Sequence, residues 1–429
     1  MGKIANFKEL AITELRKAAL EIAEAGLEAI DTEKAVKNGV VLDGDILKVK
    51  EKTFDLSGFE RLFVVGVGKC ALEAGRVLED ILGDRLTNGI VLDIRPGSLK
   101  KIRIFAGTHP FPTTENVNAT AEIIHLLSSL TEKDFVIFVI SGGGSTLLCQ
   151  PKNLICQDEK DILTHLFNVG ANIEEINTIR KHLSLARGGF LASYAHLASS
   201  VALVFSDVPG GALEFIASGP TVKDTTTIND ARAVIDKYLP ESAQKSVIVG
   251  GLIETPKEDE YFGKITNVLF LDNMTALETM SAKAKELGFN PKIRTNVLDG
   301  EARGTGEKIA LDIGRAESKS VILYGGETTV TIKNDGKGGR NLEVALGALG
   351  EIGGNELVLS FDSDGHDNTD FAGALCDKMT SEKAAKLGLE PEEFLKDNDS
   401  YEFFRKVGDY ILTGDTGSNV SDLIIAIKE

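Results

Sequence analysis

The segment Phe135-Val-Ile-Phe-Val-Ile140 runs directly into Ser141-Gly-Gly-Gly-Ser-Thr146, and this junction decides the fold class. An unbroken apolar run of this length, rich in β-branched and aromatic side chains, predicts a buried strand of a parallel sheet. Consecutive glycines followed by hydroxyl side chains predict a turn whose backbone N–H groups are free to bind an anion. We therefore expect a strand, a phosphate-binding turn and a helix start, in that order.

Three other junctions have the same form. Short apolar runs at 62–65, 321–324 and 357–361 each end in small, hydroxyl or acidic residues. Helical periodicity separates most of the strand-like runs, and this alternation predicts an α/β fold with a parallel sheet and crossover helices. The residues expected to bind phosphate at the strand ends are Gly66, Gly68, Ser141, Gly142, Gly143, Gly144, Ser145, Gly325, Gly326, Glu327 and Thr328.

Length and charge limit the function. A chain of 429 residues is too long for one comfortable core, so two domains are expected. Residues 250–260 are polar and lack periodicity, which places the boundary between a domain at 1–255 and a domain at 256–429. The net charge of −18 argues against nucleic acid and anionic membranes as partners. An anionic small-molecule substrate would need a local basic pocket.

Cysteine spacing and the N-terminal segment bear on location. The four cysteines show no metal-binding spacing, and a chain of this size needs no disulfide framework, so a reducing, cytoplasmic setting is expected. The segment starting at Met1 has no signal-peptide core. No apolar run approaches the roughly 20 residues of a membrane span. A homodimer is compatible with the sequence but is not indicated by it.

The turn Gly66-Val-Gly-Lys-Cys-Ala71 allows two functional interpretations. As G-x-G-x-x-A after a strand, with Asp93 closing the next strand, it fits a dinucleotide fingerprint in which the acidic residue binds a ribose hydroxyl. As glycines followed by Lys69 at a helix start, it places an ammonium beside several N–H donors, which suits a phosphate or a carboxylate. A packing turn without function is the third interpretation.

Charged residues at other helix and strand ends complete the candidate set. Arg180 lies in a basic helix end at 178–187, which either complements the helix dipole or forms an anion pocket. Asp207 and Asp364 follow predicted strands, where carboxylates can bind Mg²⁺ or accept a hydroxyl proton. Arg340 follows the glycines at 336–339 and opens a helix, which suits a guanidinium that binds a transferring phosphoryl group.

Taken in order, these segments resemble the class II glycerate kinases, which phosphorylate the 2-hydroxyl of D-glycerate. The resemblance extends from about Phe7 to the C-terminus. It rests on Val65-Gly-Val-Gly-Lys69, Gly107-Thr-His-Pro-Phe-Pro112, Ile140-Ser-Gly-Gly-Gly-Ser145, Ile179-Arg-Lys-His-Leu-Ser184, Ser206-Asp-Val208, Ala217-Ser-Gly-Pro-Thr221, Gly325-Gly-Glu-Thr-Thr-Val330, Gly338-Gly-Arg-Asn341 and Gly417-Ser-Asn-Val420. Each motif is weak alone, and their conjunction in this order is specific.

The resemblance implies a larger Rossmann-like N-terminal domain, a smaller C-terminal α/β domain, an active site in the interdomain cleft, and ATP with Mg²⁺. It implies that Lys69 binds the substrate or the transferred phosphoryl group, and that Arg340 stabilises its charge. We expect Arg180 to bind an anionic group of the substrate, Asp207 to act in catalysis, and Asp207 and Asp364 to bind the metal. The family usually has Gly-Asp where this chain has Gly210-Gly211, so any metal role of that carboxylate must pass to Asp207 or to another residue.

Two other functions stay open. An NAD(P)-dependent hydroxypyruvate or hydroxyacid oxidoreductase would use the Gly66 fingerprint and Asp93, but it leaves the glycine-rich turns of the second half unexplained. A non-enzymatic sugar-phosphate-binding regulator would use residues 141–146 as a passive phosphate pocket.

Overall fold

The computed structural model describes residues 2–208, 210–240 and 242–429. The helices are α1 (Phe7–Leu10), α2 (Glu14–Ala29), α3 (Thr32–Gly39), α4 (Ala71–Leu82), α5 (Thr114–Ser128), α6 (Gly144–Leu147), α7 (Cys156–Asn168), α8 (Ile173–Leu183), α9 (Phe190–Ala195), α10 (Ile228–Tyr238), α11 (Ala243–Gly251), α12 (Asn273–Glu286), α13 (Ala302–Gly314), α14 (Arg340–Ala348), α15 (Lys378–Leu387), α16 (Pro391–Lys396) and α17 (Ser400–Val407). The strands are β1 (Val40–Asp43), β2 (Ile46–Val49), β3 (Lys52–Asp55), β4 (Arg61–Val67), β5 (Asn88–Asp93), β6 (Ile102–Ala106), β7 (Asp134–Ile140), β8 (Ser199–Phe205), β9 (Ile265–Leu271), β10 (Asn290–Leu298), β11 (Ser320–Gly326), β12 (Glu356–Asp362), β13 (Gly373–Asp377), β14 (Tyr410–Ile411) and β15 (Asp422–Lys428).

The parallel sheet that the sequence predicts is built around β4 and β7. Its strand order is β6-β5-β4-β7-β8-β9, and the pairs from β6 to β8 are parallel. Numbered within this sheet, the order is 3-2-1-4-5-6, as in Rossmann-type sheets. Every residue of β7 is buried, as expected for a central strand covered on both faces. In sheets of this order, ligands bind at the carboxyl ends of the two strands where the order reverses, here β4 and β7.

The second six-stranded sheet is mixed. Its order is β10-β11-β15-β12-β13-β14. The β10–β11 pair is parallel and the other pairs are antiparallel. The sequence predicts β11 and β12 but not β13, β14 and β15. The reason is that an antiparallel strand returning from the end of the chain into the middle of a sheet has no signature in the local alternation of elements.

Packing divides the chain into two compact units. The parallel-sheet unit comprises Ala35–Ser206 and Gly211–Phe270 and also carries the small antiparallel sheet β1-β2-β3. The mixed-sheet unit comprises Met1–Lys34, Asp207–Gly210 and Leu271–Glu429.

This division does not coincide with the boundary expected between residues 255 and 256. Strand β9 lies beside β8 at the edge of the parallel sheet, and α2 packs on α12 of the mixed-sheet unit. The guanidinium of Arg16 in α2 is fully buried and donates to Asp377 at 2.6 Å and to Asp409 at 2.8 Å. Loop composition does not reveal that β9 belongs to the parallel sheet or that α2 packs in the mixed-sheet unit. The residues against which a segment packs can lie far away in the sequence. Within the described residues, no helix combines the length and apolar character needed to cross a membrane.

Candidate active site

The turns after β4 and β7 lie side by side at the carboxyl edge of the parallel sheet. The backbone N–H of Lys69 donates to the carbonyl oxygen of Gly142 at 2.9 Å, and that of Ser141 donates to Val67, also at 2.9 Å. These bonds join the two turns where the strand order reverses. The residues of both turns that the sequence predicts to bind phosphate therefore meet at the ligand-binding edge expected for this sheet.

Two glycines are required by the close approach of these turns. Gly68 has φ +122°, and a Cβ at this position would lie 2.1 Å from the hydroxyl oxygen of Ser141. Gly143 has φ +79°, and its Cβ would lie 3.1 Å from Cγ of Lys69. The first position has no room for a side chain. At the second, the absence of a side chain lets Lys69 extend over the glycine turn.

Lys69 and Arg180 form no ion pair among the residues that the structure describes. His109 lies near both: burial lowers the pKa of its imidazole, and the positive charges of Lys69 and Arg180 lower it further. Burial also lowers the pKa of Arg180, to about 10, with a further contribution from the positive charge of Arg187. Two cations without carboxylate partners form the kind of local basic pocket that an anionic substrate needs in a chain with a net charge of −18.

The neighbours of Arg180 in the basic helix end have internal partners. The ammonium of Lys181 donates to Asp224 at 3.1 Å, and both side chains are almost fully buried. Arg187 lies 2.7 Å from a carboxylate oxygen of Glu159, again with both groups buried. Lys181 and Arg187 are therefore structural cations, and Arg180 is the candidate ligand-binding residue of this segment.

Ser218 also contacts the glycine turn, and the sequence analysis assigned it no role. Its hydroxyl lies 2.9 Å from the hydroxyl of Ser145 and donates to the side-chain carbonyl of Asn177 at 3.1 Å. Ala217 and Ser218 both adopt positive φ values, +52° and +58°. Non-glycine residues held in this region are strained and cluster at functional sites. In the sequence, Ser218 belongs to the motif Ala217-Ser-Gly-Pro-Thr221, but the motif alone does not indicate that this residue contacts the glycine turn.

A pocket of about 310 Å³ opens beside the glycine turn, and we refer to it as the α7–α8 pocket. Its walls come from the loop after β6, the turn after β7, and helices α7 and α8. The residues that define it are His109, Phe111, Ser145, Leu163, Phe167 and Arg180. The proposed anion-binding residue Arg180 thus lines a pocket whose other walls are largely apolar.

Asp93, the acidic residue of the dinucleotide fingerprint, is fully buried. Its carboxylate accepts hydrogen bonds from the backbone N–H of Leu72 at 2.9 Å and of Arg95 at 3.0 Å. It therefore stabilises the first turn of α4 and the loop after β5. This carboxylate is directed to the protein backbone, which disfavours the interpretation in which it binds a ribose hydroxyl.

A second charged cluster lies within the mixed-sheet unit, at the start of α14. The guanidinium of Arg340 lies 2.7 Å from Asp422, 3.2 Å from Asp362 and 3.2 Å from Glu327. Glu327 follows β11, Asp362 ends β12, and Asp422 opens β15. Three neighbouring strand ends of the mixed sheet therefore surround one arginine with three carboxylates. We refer to these four residues as the Arg340 cluster.

Burial dominates the acid–base properties of the Arg340 cluster. Burial raises the pKa of Asp422 to about 7, against the opposing effect of Arg340. Burial and the nearby charges of Asp422 and Asp364 raise the pKa of Asp362 well above its usual range. Asp422 is not predicted from the sequence, because an aspartate at the start of an unpredicted strand carries no motif. The cluster holds more negative than positive charge when all its carboxylates are ionised.

The predicted metal ligands Asp207 and Asp364 are both half-buried, each just after a strand. Among the described residues, no group of three or more acidic, histidine or cysteine side chains is arranged to hold a metal ion. Mg²⁺ does not need such a group, because it commonly retains waters and binds substrate phosphates together with one or two carboxylates. The oxygen donors at these two strand ends are chemically suited to that mode of binding.

Comparison with known proteins identifies the family. Residues 18–249 match the model "Domain of unknown function (DUF4147)", and residues 320–422 match the MOFRL family. The chain is 38% identical to the glycerate 2-kinase of Pyrococcus horikoshii, over 96% of this chain and 97% of that protein. It is 36% identical to the D-glycerate 2-kinase of Thermotoga maritima, over 96% of this chain and 98% of that protein.

Two further similarities bear on function. A protein of Agrobacterium vitis named putative hydroxypyruvate reductase is 37% identical, over 85% of this chain and 86% of that protein. The crystal structure of the Thermotoga maritima glycerate kinase superposes with a TM-score of 0.86 at 34% identity, covering 97% of this chain and all of that one. The motif resemblance found in the sequence is thereby confirmed, and the chain belongs to the glycerate kinase family of phosphotransferases.

Proposed function

We propose that this protein transfers the γ-phosphoryl group of ATP to the 2-hydroxyl of D-glycerate and forms 2-phosphoglycerate. The observation that carries the proposal is that Lys69 and Arg180, which form no ion pair among the described residues, lie beside a glycine turn at the reversal point of the parallel sheet. Both reactants are anionic, and a site rich in N–H donors and unpaired cations suits them. The identity of the phosphoryl acceptor is inferred from the names of the relatives called glycerate 2-kinase.

In the reaction, the 2-hydroxyl oxygen attacks the γ-phosphorus, and the bond from that phosphorus to the oxygen shared with the β-phosphate breaks. Positioning and neutralisation of charge carry most of the catalysis in phosphoryl transfer. Lys69 neutralises the transferring group, and the backbone N–H groups of residues 142–145 bind phosphate oxygens. Arg180 binds an anionic group of one of the two reactants. Burial and the positive charges of Lys69 and Arg180 lower the pKa of the His109 imidazole, so these two side chains carry the positive charge of the pocket.

Residues of the mixed-sheet unit supply the remaining groups. Arg340 stabilises negative charge on the phosphoryl group and shares its guanidinium with the carboxylates that surround it. The turn at Gly325, Gly326, Glu327 and Thr328 binds nucleotide phosphate. Asp207 or Asp364 would hold Mg²⁺ or accept the hydroxyl proton, and the metal would supply charge neutralisation when bound with the nucleotide.

The free thiols favour the cytoplasmic location predicted from cysteine spacing. Cys149 and Cys376 are buried thiols that form no disulfide, as is usual where thiols stay reduced. A homodimer stays a possibility that is compatible with the sequence.

The test is ADP release from ATP with D-glycerate, followed by ³¹P NMR of the product. A new resonance of 2-phosphoglycerate, dependent on D-glycerate, supports the proposal. Formation of 3-phosphoglycerate would contradict the position of transfer, and glycerate-independent ADP release would contradict the acceptor.

A hydroxypyruvate reductase is the second candidate, because one relative carries that name. Oxidation of NADH in the presence of hydroxypyruvate, with no ADP release from ATP and glycerate, would favour it. The internal hydrogen bonds of Asp93 disfavour it, since the fingerprint needs that carboxylate for ribose.

A further inference from the structure

We infer that the α7–α8 pocket binds the base of the nucleotide, while the adjoining glycine turn binds its phosphates. The inference rests on the proposed function, because it takes ATP as the phosphoryl donor. It adds a subsite that neither the motifs nor the relatives specify.

The chemistry of the walls points to a flat apolar ligand. Phe111 and Phe167 line the pocket with 45% and 54% of their surfaces exposed, and Leu163 contributes an aliphatic wall. Large aromatic side chains left this open beside a cavity favour a partner that covers them. Aromatic side chains stack on any nucleobase through its π face, largely independent of its identity.

The same walls do not suit the acceptor. Each of the three carbons of glycerate carries oxygen, so the molecule has almost no apolar surface to bury. A pocket of about 310 Å³ is also within the usual range for an organic ligand larger than a three-carbon acid. Of the two reactants, the nucleotide is therefore the one whose chemistry matches this pocket.

The position of the pocket places a base next to the phosphates. Ser145 and Thr146 belong both to the turn and to the pocket lining. The guanidinium of Arg180 lies 5.8 Å from the ring centroid of Phe167, and the ammonium of Lys160 lies 4.7 Å from that of Phe111. Each aromatic wall is therefore paired with a cation, an arrangement that suits a ring attached to an anionic chain. Asn168 and Thr164, at the same lining, provide amide and hydroxyl groups for the polar edge of a base.

The experiment compares Phe167→Ala with Ile173→Ala in the full-length protein. Ile173 is a matched control, because it is 57% exposed at the start of α8 and does not line the pocket. Direct titration with ADP and with inorganic tripolyphosphate separates the base from the phosphates, and KM values for ATP and D-glycerate are measured in parallel. We expect Phe167→Ala to weaken ADP binding about tenfold. Tripolyphosphate binding and the KM for glycerate should change less than about twofold.

The inference fails if ADP and tripolyphosphate weaken equally, if the KM for glycerate rises in place of that for ATP, or if Ile173→Ala reproduces the effect. Phe111→Ala serves as a second variant of the pocket lining, and unchanged melting temperatures show that both variants fold. Failure of the inference is distinct from failure of the proposed function. A wild-type enzyme that forms 2-phosphoglycerate with pocket variants of normal ADP affinity overturns the subsite alone, and an inactive wild type that binds ADP through Phe167 overturns the reaction alone.

Discussion

The two units hold their candidate cations in opposite electrostatic settings. In the parallel-sheet unit, Lys69 and Arg180 have no carboxylate partner among the described residues. In the mixed-sheet unit, Arg340 contacts three carboxylates. The sequence predicts that all three residues interact with anionic groups. The contrast teaches that a cation is open to an anionic ligand when its own unit provides no counter-charge, and that it also stabilises the fold when its unit does.

The largest effect that this comparison predicts is on the activity of Lys69→Met. Removing an unpaired cation takes away charge that the transferring phosphoryl group needs, and turnover should fall about 10³-fold. Unfolding free energy should stay the same or rise slightly, because no buried partner loses its counter-charge. Steady-state ADP release and urea unfolding measure the two quantities. Lys69→Arg is the control and should retain part of the activity; normal turnover of Lys69→Met would remove this residue from the mechanism.

Arg340→Met should lose stability as well as activity. In the structure, its removal leaves Asp362 and Asp422 buried without a cation. Breaking a largely buried ion pair by removing one partner costs about 3 kcal/mol of unfolding free energy. The urea midpoint measures it, with Arg405→Met as the control because that arginine is exposed and pairs with Glu402 on its own helix. If Arg340→Met were as stable as the wild type, the carboxylates would have taken up protons without lowering the unfolding free energy, which would contradict this prediction.

Gly68→Ala tests the junction of the two turns in the parallel-sheet unit. The added methyl group would meet Ser141 and its backbone, so we expect a loss of about 2–3 kcal/mol together with loss of activity. Gly44→Ala is the matched control, since Gly44 also has positive φ, +58°, but has nothing within 4 Å of the new methyl group. Backbone strain alone should cost about 1 kcal/mol there. Equal losses in the two variants would show that strain, rather than contact between the turns, sets the effect.

The smallest predicted effect is a change in the pH dependence of stability in Asp422→Asn. The folded-state pKa of Asp422, about 7, lies above its ordinary value of 3.8, so the folded protein binds this proton more tightly than the unfolded chain. The stability that this tighter proton binding gives to the folded protein is fully present below about pH 4 and is lost as the pH rises through 7. Between pH 5 and pH 8 the unfolding free energy of the wild type should fall about 1–2 kcal/mol more than that of the variant. The difference is no larger because Asp362 shares the titration.

Urea unfolding at both pH values measures this difference, and Asp335→Asn provides an exposed acid of the same unit as a control. Parallel pH profiles of wild type and Asp422→Asn would contradict the raised pKa.

Sequence reasoning reached the parts of the site that local chain geometry determines. The apolar run of β7 and the glycines at 142–144 together require a strand and a tight turn, and the structure has both at the predicted place. Lys69 directly follows the glycine turn after β4, so its place at the site is also predicted from the local sequence. Ser218 and Asp422 were missed because their roles depend on contacts with residues far away along the chain. Arg187 and Lys181 were grouped with Arg180 for the same reason, since their buried partners Glu159 and Asp224 are invisible in the helix pattern.

The discontinuity of the mixed-sheet unit has a consequence for biosynthesis. Its first segment, which includes α2 and the buried Arg16, leaves the ribosome long before Asp377 and Asp409 are made. At translation rates of roughly 5 to 20 residues per second, that wait lasts on the order of 20 to 75 seconds. During this interval the parallel-sheet unit is already complete in sequence and can fold. The amphipathic α2 must meanwhile remain unassociated or be shielded by a chaperone, which makes this segment the natural site for misassembly of the nascent protein.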